Sequence, residues 1–97
     1  MEKIFAVYML ASGYNGTLYV GITSDLPKRV QEHRGGLVEG FTKEYGVKDL
    51  VWYEVHEDAT AAITREKRIK KWNRLCKIRL IEERNPQWRD LYEDIRG

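Results

Sequence analysis

An α+β fold, a small three-stranded antiparallel sheet flanked by helices, is predicted by three features of this chain. Two runs rich in β-branched and aromatic residues, KIFAVYML at 3–10 and TLYVGIT at 17–23, flank SGYNGT, whose composition is that of a turn. A third such run, KDLVWYEVH at 48–56, comes later. Beyond it the apolar residues recur at helical rather than alternating spacing. The 97 residues suit one domain, 1–97, long enough to bury a core without disulfide staples.

The first two runs form an N-terminal hairpin. If its loop is centred between Gly13 and Tyr14, Tyr8 and Tyr19 become direct cross-strand partners and share a face; a turn centred on Asn15-Gly16 breaks that pairing. No charge occurs from Ile4 to Ser24, but the turn residues at its centre rule out a membrane-spanning helix or a signal peptide. SDLPKRVQEHRGG, 24–36, opens with a cap at Ser24 or Asp25 and has Pro27 in its first turn, where a missing N–H does no harm; a Gly-Gly pair stops this helix. Leu26, Val30 and His33 lie on one stripe of it. FTKEYG, 41–46, is a turn or a short helical turn.

After the third strand, EDATAAITREKRIKKWNRLCK, 57–77, reads as one long helix capped by Asp58. A further turn or second helix follows through IRLIEER, and Asn85-Pro86 ends it. In WRDLYEDI, Trp88, Leu91 and Ile95 have helical spacing, which suits either packing back on the sheet or a protein-docking surface.

Several polar residues fall where apolar ones belong. At 100° per residue, Ala62, Glu66, Ile69, Asn73 and Cys76 share the apolar stripe of the long helix, while Lys67, Lys71 and Arg74 point away. A core-facing carboxylate at Glu66 must be paired, with Lys70 one turn on, or must hold a metal. Arg29 and His33, four apart, both face the sheet from the first helix. There His33 serves as a hydrogen-bonded core residue or as a proton carrier, and Arg29 pairs with Glu32 or Asp25 or binds an anion. Gly21 interrupts a strand, which marks a bulge or a place where something approaches the chain closely.

Charge adds a second line of argument. Residues 61–84 carry nine Lys and Arg against three Glu. Lys67, Arg68, Lys71 and Arg74 therefore form either a solvated helix face or a surface for phosphates. Cys76 is the single cysteine and makes no metal-ligand spacing with His33 or His56, so a disulfide framework is excluded and a reducing, cytoplasmic setting is expected.

Taken in order, these residues resemble the GIY-YIG endonuclease superfamily, in particular its small stand-alone bacterial members, over nearly the whole chain. AVY, 6–8, matches the first motif with Ala and Val in place of Gly and Ile. YVG, 19–21, matches the second with one conservative change. PKRVQEH matches the helix that bears an Arg and a His four apart, REKRIKKW the helix that bears a metal-ligand Glu, and Asn85 a late Asn.

The resemblance implies metal-dependent hydrolysis of DNA phosphodiester bonds, with little sequence preference or with selectivity for branched structures. By position, Tyr8 and Tyr19 orient or deprotonate water, Arg29 clamps the phosphate, His33 assists proton transfer and Asn85 supports the site. Glu66 holds a single Mg²⁺ or Mn²⁺, bound weakly without nucleic acid because such an ion relies on water and substrate phosphate. Gly21 keeps the cleft open. Ionising an ordinary tyrosine at pH 7 costs about 4 kcal/mol, so Arg29, a charged His33 or metal-bound water has to stabilise any phenolate. DNA is the expected partner, with no membrane and no organic cofactor; the oligomeric state stays open. The alternative is a non-catalytic nucleic-acid-binding module that uses the basic 60–84 region.

Overall fold

The computed structural model describes residues 4–38 and 40–96. Strands β1 (Phe5–Ala11) and β2 (Leu18–Thr23) form the hairpin, followed by helix α1 (Leu26–Arg34), the short α2 (Phe41–Glu44) and strand β3 (Asp49–His56). Helices α3 (Ala59–Lys71), α4 (Arg74–Glu82) and α5 (Tyr92–Ile95) complete the chain. The sheet is antiparallel in the order β2-β1-β3, so the predicted α+β class and three-stranded sheet are both found. Lys3, the expected first residue of the hairpin, lies outside the described residues.

The hairpin register differs from the expected one by two residues. Tyr8 pairs with Gly21 and Tyr19 with Leu10. The turn is centred between Tyr14 and Asn15. Gly16 N–H donates to Gly13 O (3.0 Å), Asn15 takes the left-handed conformation at φ 54°, and Ser12 Oγ accepts from Thr17 N (2.9 Å). Because side chains alternate with period two, a slip of two preserves the face. Tyr8 and Tyr19 thus remain on one side as diagonal neighbours.

Alternation splits the core into two layers. Val7, Met9, Ala11 and Val20 point toward Ala62 and Ile69 of α3, Ile81 of α4 and Trp88. Ala6, Tyr8 and Leu10 point the other way, toward Leu26 and Val30 of α1, with Val47, Leu50 and the partly buried Tyr19, Leu91 and Ile95. Helix α1 starts at Asp25, whose carboxylate accepts from Lys28 N (3.3 Å), and its buried stripe is Leu26, Val30 and His33, as expected. Asp58 caps α3 in the same way, accepting from Thr60 N (3.0 Å).

The expected long helix is broken. Trp72 and Asn73 are extended, and Asn73 Oδ1 accepts from Cys76 N (2.9 Å), so Asn73 caps a new helix instead of continuing the old stripe. Asn73 and Cys76 are accordingly exposed, and the buried stripe of α3 is Ala62, Glu66 and Ile69.

The segment after α4 wraps the free edge of β3. Val51 is an extra residue in that strand, since Met9 pairs with Trp52 and Leu10 with Leu50. Such a bulge leaves a carbonyl without a ladder partner. Asn85 Nδ2 donates to Val51 O (3.1 Å), while Leu91 N donates to Leu50 O (2.7 Å) and Asp90 Oδ1 accepts from Leu50 N (3.1 Å). The 88–95 segment therefore packs on the sheet, but not as one helical face. Trp88, in a left-handed conformation at φ 57°, joins the α3 layer, and Leu91 and Ile95 join the α1 layer.

Candidate active site

Four of the expected site residues meet on the α1 face of the hairpin. Tyr8 stands at the middle of the central strand, 1% exposed, with its Oη 3.0 Å from His33 Nε2. Tyr19 lies beside both: its ring centroid is 6.3 Å from that of Tyr8 and 5.3 Å from that of His33. The guanidinium of Arg29 lies beside the Tyr8 hydroxyl and also pairs with Glu32 at 3.4 Å. Gly21 is directly opposite Tyr8.

This assembly follows from local structure. His33 and Arg29 are one turn apart on α1, so a helix that buries Leu26 and Val30 must bring both over the hairpin. Thr42, buried on α2, completes the arrangement, with its Oγ1 3.0 Å from His33 Nδ1. Sequence reasoning missed Thr42. It lies on a four-residue helix without periodicity, and only the packing of α2 beside α1 places it against the imidazole.

Burial pushes the Tyr8 phenol up to about 12, against the opposing pull of Arg29. At pH 7 a free phenolate there costs roughly 7 kcal/mol. Burial and the Arg29 charge both hold His33 below its ordinary pKa, so the imidazole is neutral at pH 7. Of the three stabilisers weighed from sequence, a charged His33 is thus disfavoured and Arg29 is the cation at hand. Arg29 can only donate, so the phenol proton finds its acceptor at this contact when His33 is the Nδ1–H tautomer, and we assign that tautomer, with Nε2 accepting from Tyr8 and Nδ1–H facing Thr42 Oγ1. The resulting chain, Tyr8 to His33 to Thr42, can pass a proton from the phenol to the imidazole.

The remaining candidates lie elsewhere. Glu66, 8% exposed, belongs to the stripe of α3 that packs on the opposite layer, and its carboxylate pairs with Lys70 Nζ at 2.8 Å. Of the five side chains expected in one hollow, four are in contact with one another; the neighbours of Glu66 on its stripe, Ala62 and Ile69, pack on the opposite layer. Asn85 is also not among the four. Its Nδ2 donates to Val51 O and Arg89 O (2.8 Å) and its Oδ1 accepts from Arg89 N (2.9 Å), so any support it lends passes through β3.

Lys67, Arg68 and Lys71 are exposed and contact no carboxylate among the described residues. Arg74 is exposed too, but its guanidinium donates to Asn15 O (2.7 Å) and holds the hairpin turn. An open cleft lined by Ile22, Thr23, Ser24, Asp25, Lys28, Arg29 and Glu32 adjoins the site at the start of α1.

Comparison with known proteins identifies the family and agrees with the fold. The profile of the GIY-YIG catalytic domain matches residues 4–79. The chain belongs to the GIY-YIG family. UPF0213 proteins of Staphylococcus aureus strains N315 and Mu50 are each 39% identical to this GIY-YIG chain over 70 residues, 72% of it and 85% of the relative. The solution structure of a UPF0213 protein from Bacillus halodurans has the same fold, with a TM-score of 0.57 at 24% identity, covering 90% of this chain and 92% of that one. Asn85 lies outside the matched GIY-YIG segment. None of the helices among the described residues is long and apolar enough to cross a membrane.

Proposed function

We propose that this GIY-YIG chain is a metal-dependent endonuclease that hydrolyses DNA phosphodiester bonds, with low sequence preference or with selectivity for branched structures, in the cytoplasm. The observation that carries the reading is the contact of a buried phenol, Tyr8, with a neutral imidazole, His33, beside the Arg29 guanidinium. Water attacks phosphorus and gives its proton to Tyr8 Oη as the phenol proton passes to His33 Nε2, so that no free phenolate forms; the bond from phosphorus to the leaving sugar oxygen breaks, and that oxygen takes a proton from solvent. Thr42 Oγ1 keeps Nδ1–H in place during the transfer. Arg29 offers a planar fork to the phosphoryl oxygens as charge grows on them, and Tyr19 flanks the same position.

One Mg²⁺ or Mn²⁺ fits Glu66 as a weak ligand. A carboxylate oxygen is the hard donor such ions prefer, and the competing Lys70 side chain is half exposed and free to swing aside. Three or more His, Cys, Asp or Glu do not gather anywhere among the described residues, so phosphate and water have to complete the coordination. When bound there, the ion would supply Lewis-acid chemistry to a substrate phosphate that reaches Glu66, which is not the position beside Arg29 on the other layer.

Incubation with supercoiled, single-stranded and branched DNA, with Mg²⁺, with Mn²⁺ and with chelator, tests the reading. Metal-dependent cleavage lost in the Tyr8→Phe protein supports it, and no cleavage of any form under any condition sinks it. The Glu66→Ala protein decides whether a carboxylate on the other layer belongs to the reaction. The second reading, a non-catalytic binder, draws on the exposed Lys67, Arg68 and Lys71; it requires salt-sensitive DNA binding without cleavage.

A further inference from the structure

The aromatic rings of the site continue out to the surface. Tyr19 lies 6.5 Å from Phe41, with ring planes 28° apart, and Phe41 lies 4.9 Å from Tyr45. Exposure rises along this series, from 1% at Tyr8 to 45% at Phe41 and 54% at Tyr45. The two outer rings are held by α2 and the residue after it, a segment whose buried side chain is Thr42. Core packing does not account for them. The α1 layer is filled by Ala6, Tyr8, Leu10, Leu26, Val30, Val47 and Leu50 with Tyr19 packed against it, and Phe41 and Tyr45 lie exposed outside it, Phe41 resting on Tyr19.

The geometry points to a stacking platform: Phe41 and Tyr45 take unpaired bases of a single-stranded nucleic acid whose backbone runs past Tyr19 and Arg29. This deepens the nuclease reading and rests on it for the placement of the backbone. Tyr19 belongs both to the ring series and to the cluster around Tyr8 and His33, so whatever covers the outer rings must border the position assigned to the phosphate. Lys43 and Glu44 stand between the two rings in sequence, and Lys28 and Arg29 line the adjoining cleft with Asp25 and Glu32. Exposed π faces that run outward from the Tyr19 and Arg29 cluster suit bases stacked along a strand whose backbone passes that cluster, and stacking tolerates any base. In a duplex the base faces are already covered, so the same rings offer little to paired DNA.

Fluorescence anisotropy in chelator, where no cleavage occurs, tests this with a labelled single-stranded oligonucleotide and a hairpin duplex of matched composition. The wild-type chain is expected to prefer the single strand. Phe41→Leu and Tyr45→Leu keep apolar bulk but lose the π face; each should weaken single-strand binding by about 5- to 150-fold, as measured for other stacked bases, and shift duplex binding less than twofold. Phe41→Tyr should bind like wild type. Both side chains are exposed, so the melting temperatures should stay near wild type, which excludes unfolding as the cause.

Equal losses on both probes, or no loss, overturn the platform. So does concentration-dependent self-association that the same substitutions abolish, which would make the rings a protein contact. A persistent single-strand preference without cleavage of any DNA would remove the nuclease reading and leave the platform standing. Cleavage without that preference would do the reverse.

Discussion

The Tyr8 ring occupies the space that a Cβ on Gly21 would need: such an atom would lie 2.5 Å from Cζ and Oη and 2.9 Å from Cε1. The absent side chain makes room for a site phenol rather than for a phosphate. Gly21→Ala should therefore displace the ring, cost roughly 1–3 kcal/mol in urea denaturation and abolish cleavage. The expectation from sequence that Gly21 keeps the cleft open is revised on this contact. Tyr8→Ala should cost less stability in the Gly21→Ala background than in the wild-type protein and recover none of the activity; a Gly21→Ala protein as stable as wild type refutes the account.

His33 and Tyr8 set opposite ends of the pH range. The folded pKa of His33 is depressed, so the unfolded chain binds its proton more readily. Its contribution to stability is complete above about pH 6.5 and is lost as pH falls below that value. The folded pKa of Tyr8 is raised to about 12, so its contribution is complete below the ordinary value of 10.0 and is lost as pH rises between the two. Melting temperatures across pH should fall at both ends in the wild-type protein, and the acid-side fall should shrink in His33→Gln. Cleavage, which needs the neutral imidazole, should rise with pH below 6.5 and level off near neutrality; a rate that falls over that interval contradicts the proton path.

Thr42 acts through His33. Thr42→Val removes the oxygen that faces Nδ1 and leaves a buried N–H unpaired, at a cost of about 1–3 kcal/mol. Nitrogen chemical shifts of His33 should show the Nδ1–H tautomer in the wild-type protein and its loss in the variant, with a lower cleavage rate. Thr42→Ser should restore both, and an unchanged tautomer in Thr42→Val would detach Thr42 from the site.

Asn85 should behave as a clamp. Asn85→Ala leaves the Val51 carbonyl of the bulge unpaired and should lower stability by about 1–3 kcal/mol. Below its melting temperature the variant should cleave at the wild-type rate, because no contact joins Asn85 to the phenols. Full stability with lost activity would place it in the chemistry after all.

Local chemistry made much of this legible before any coordinates. Turn residues and β-branched runs marked the hairpin, Asp25 and Asp58 announced their helices, and the stripes named Leu26, Val30, His33, Ala62, Glu66 and Ile69 as buried. Each depends on neighbours within a few residues, where spacing alone decides which side chains share a face. The break at Asn73 was less visible: helical periodicity can continue through a cap that is neither Gly nor Pro, and it is the side-chain bond to Cys76 N that stops the helix.

What the chain carries in its own order is the set of groups, two phenols, a guanidinium and an imidazole, together with the periodicities that turn them toward the sheet. Long-range packing settled the rest. The hairpin slip placed Tyr8 over Gly21, the return of α2 brought Thr42 to the imidazole, and the crossing of α3 beneath the sheet kept Glu66 from the other four. Spacing along a strand or helix gives direction only; which layer an element joins depends on where the whole chain finds apolar surface to cover.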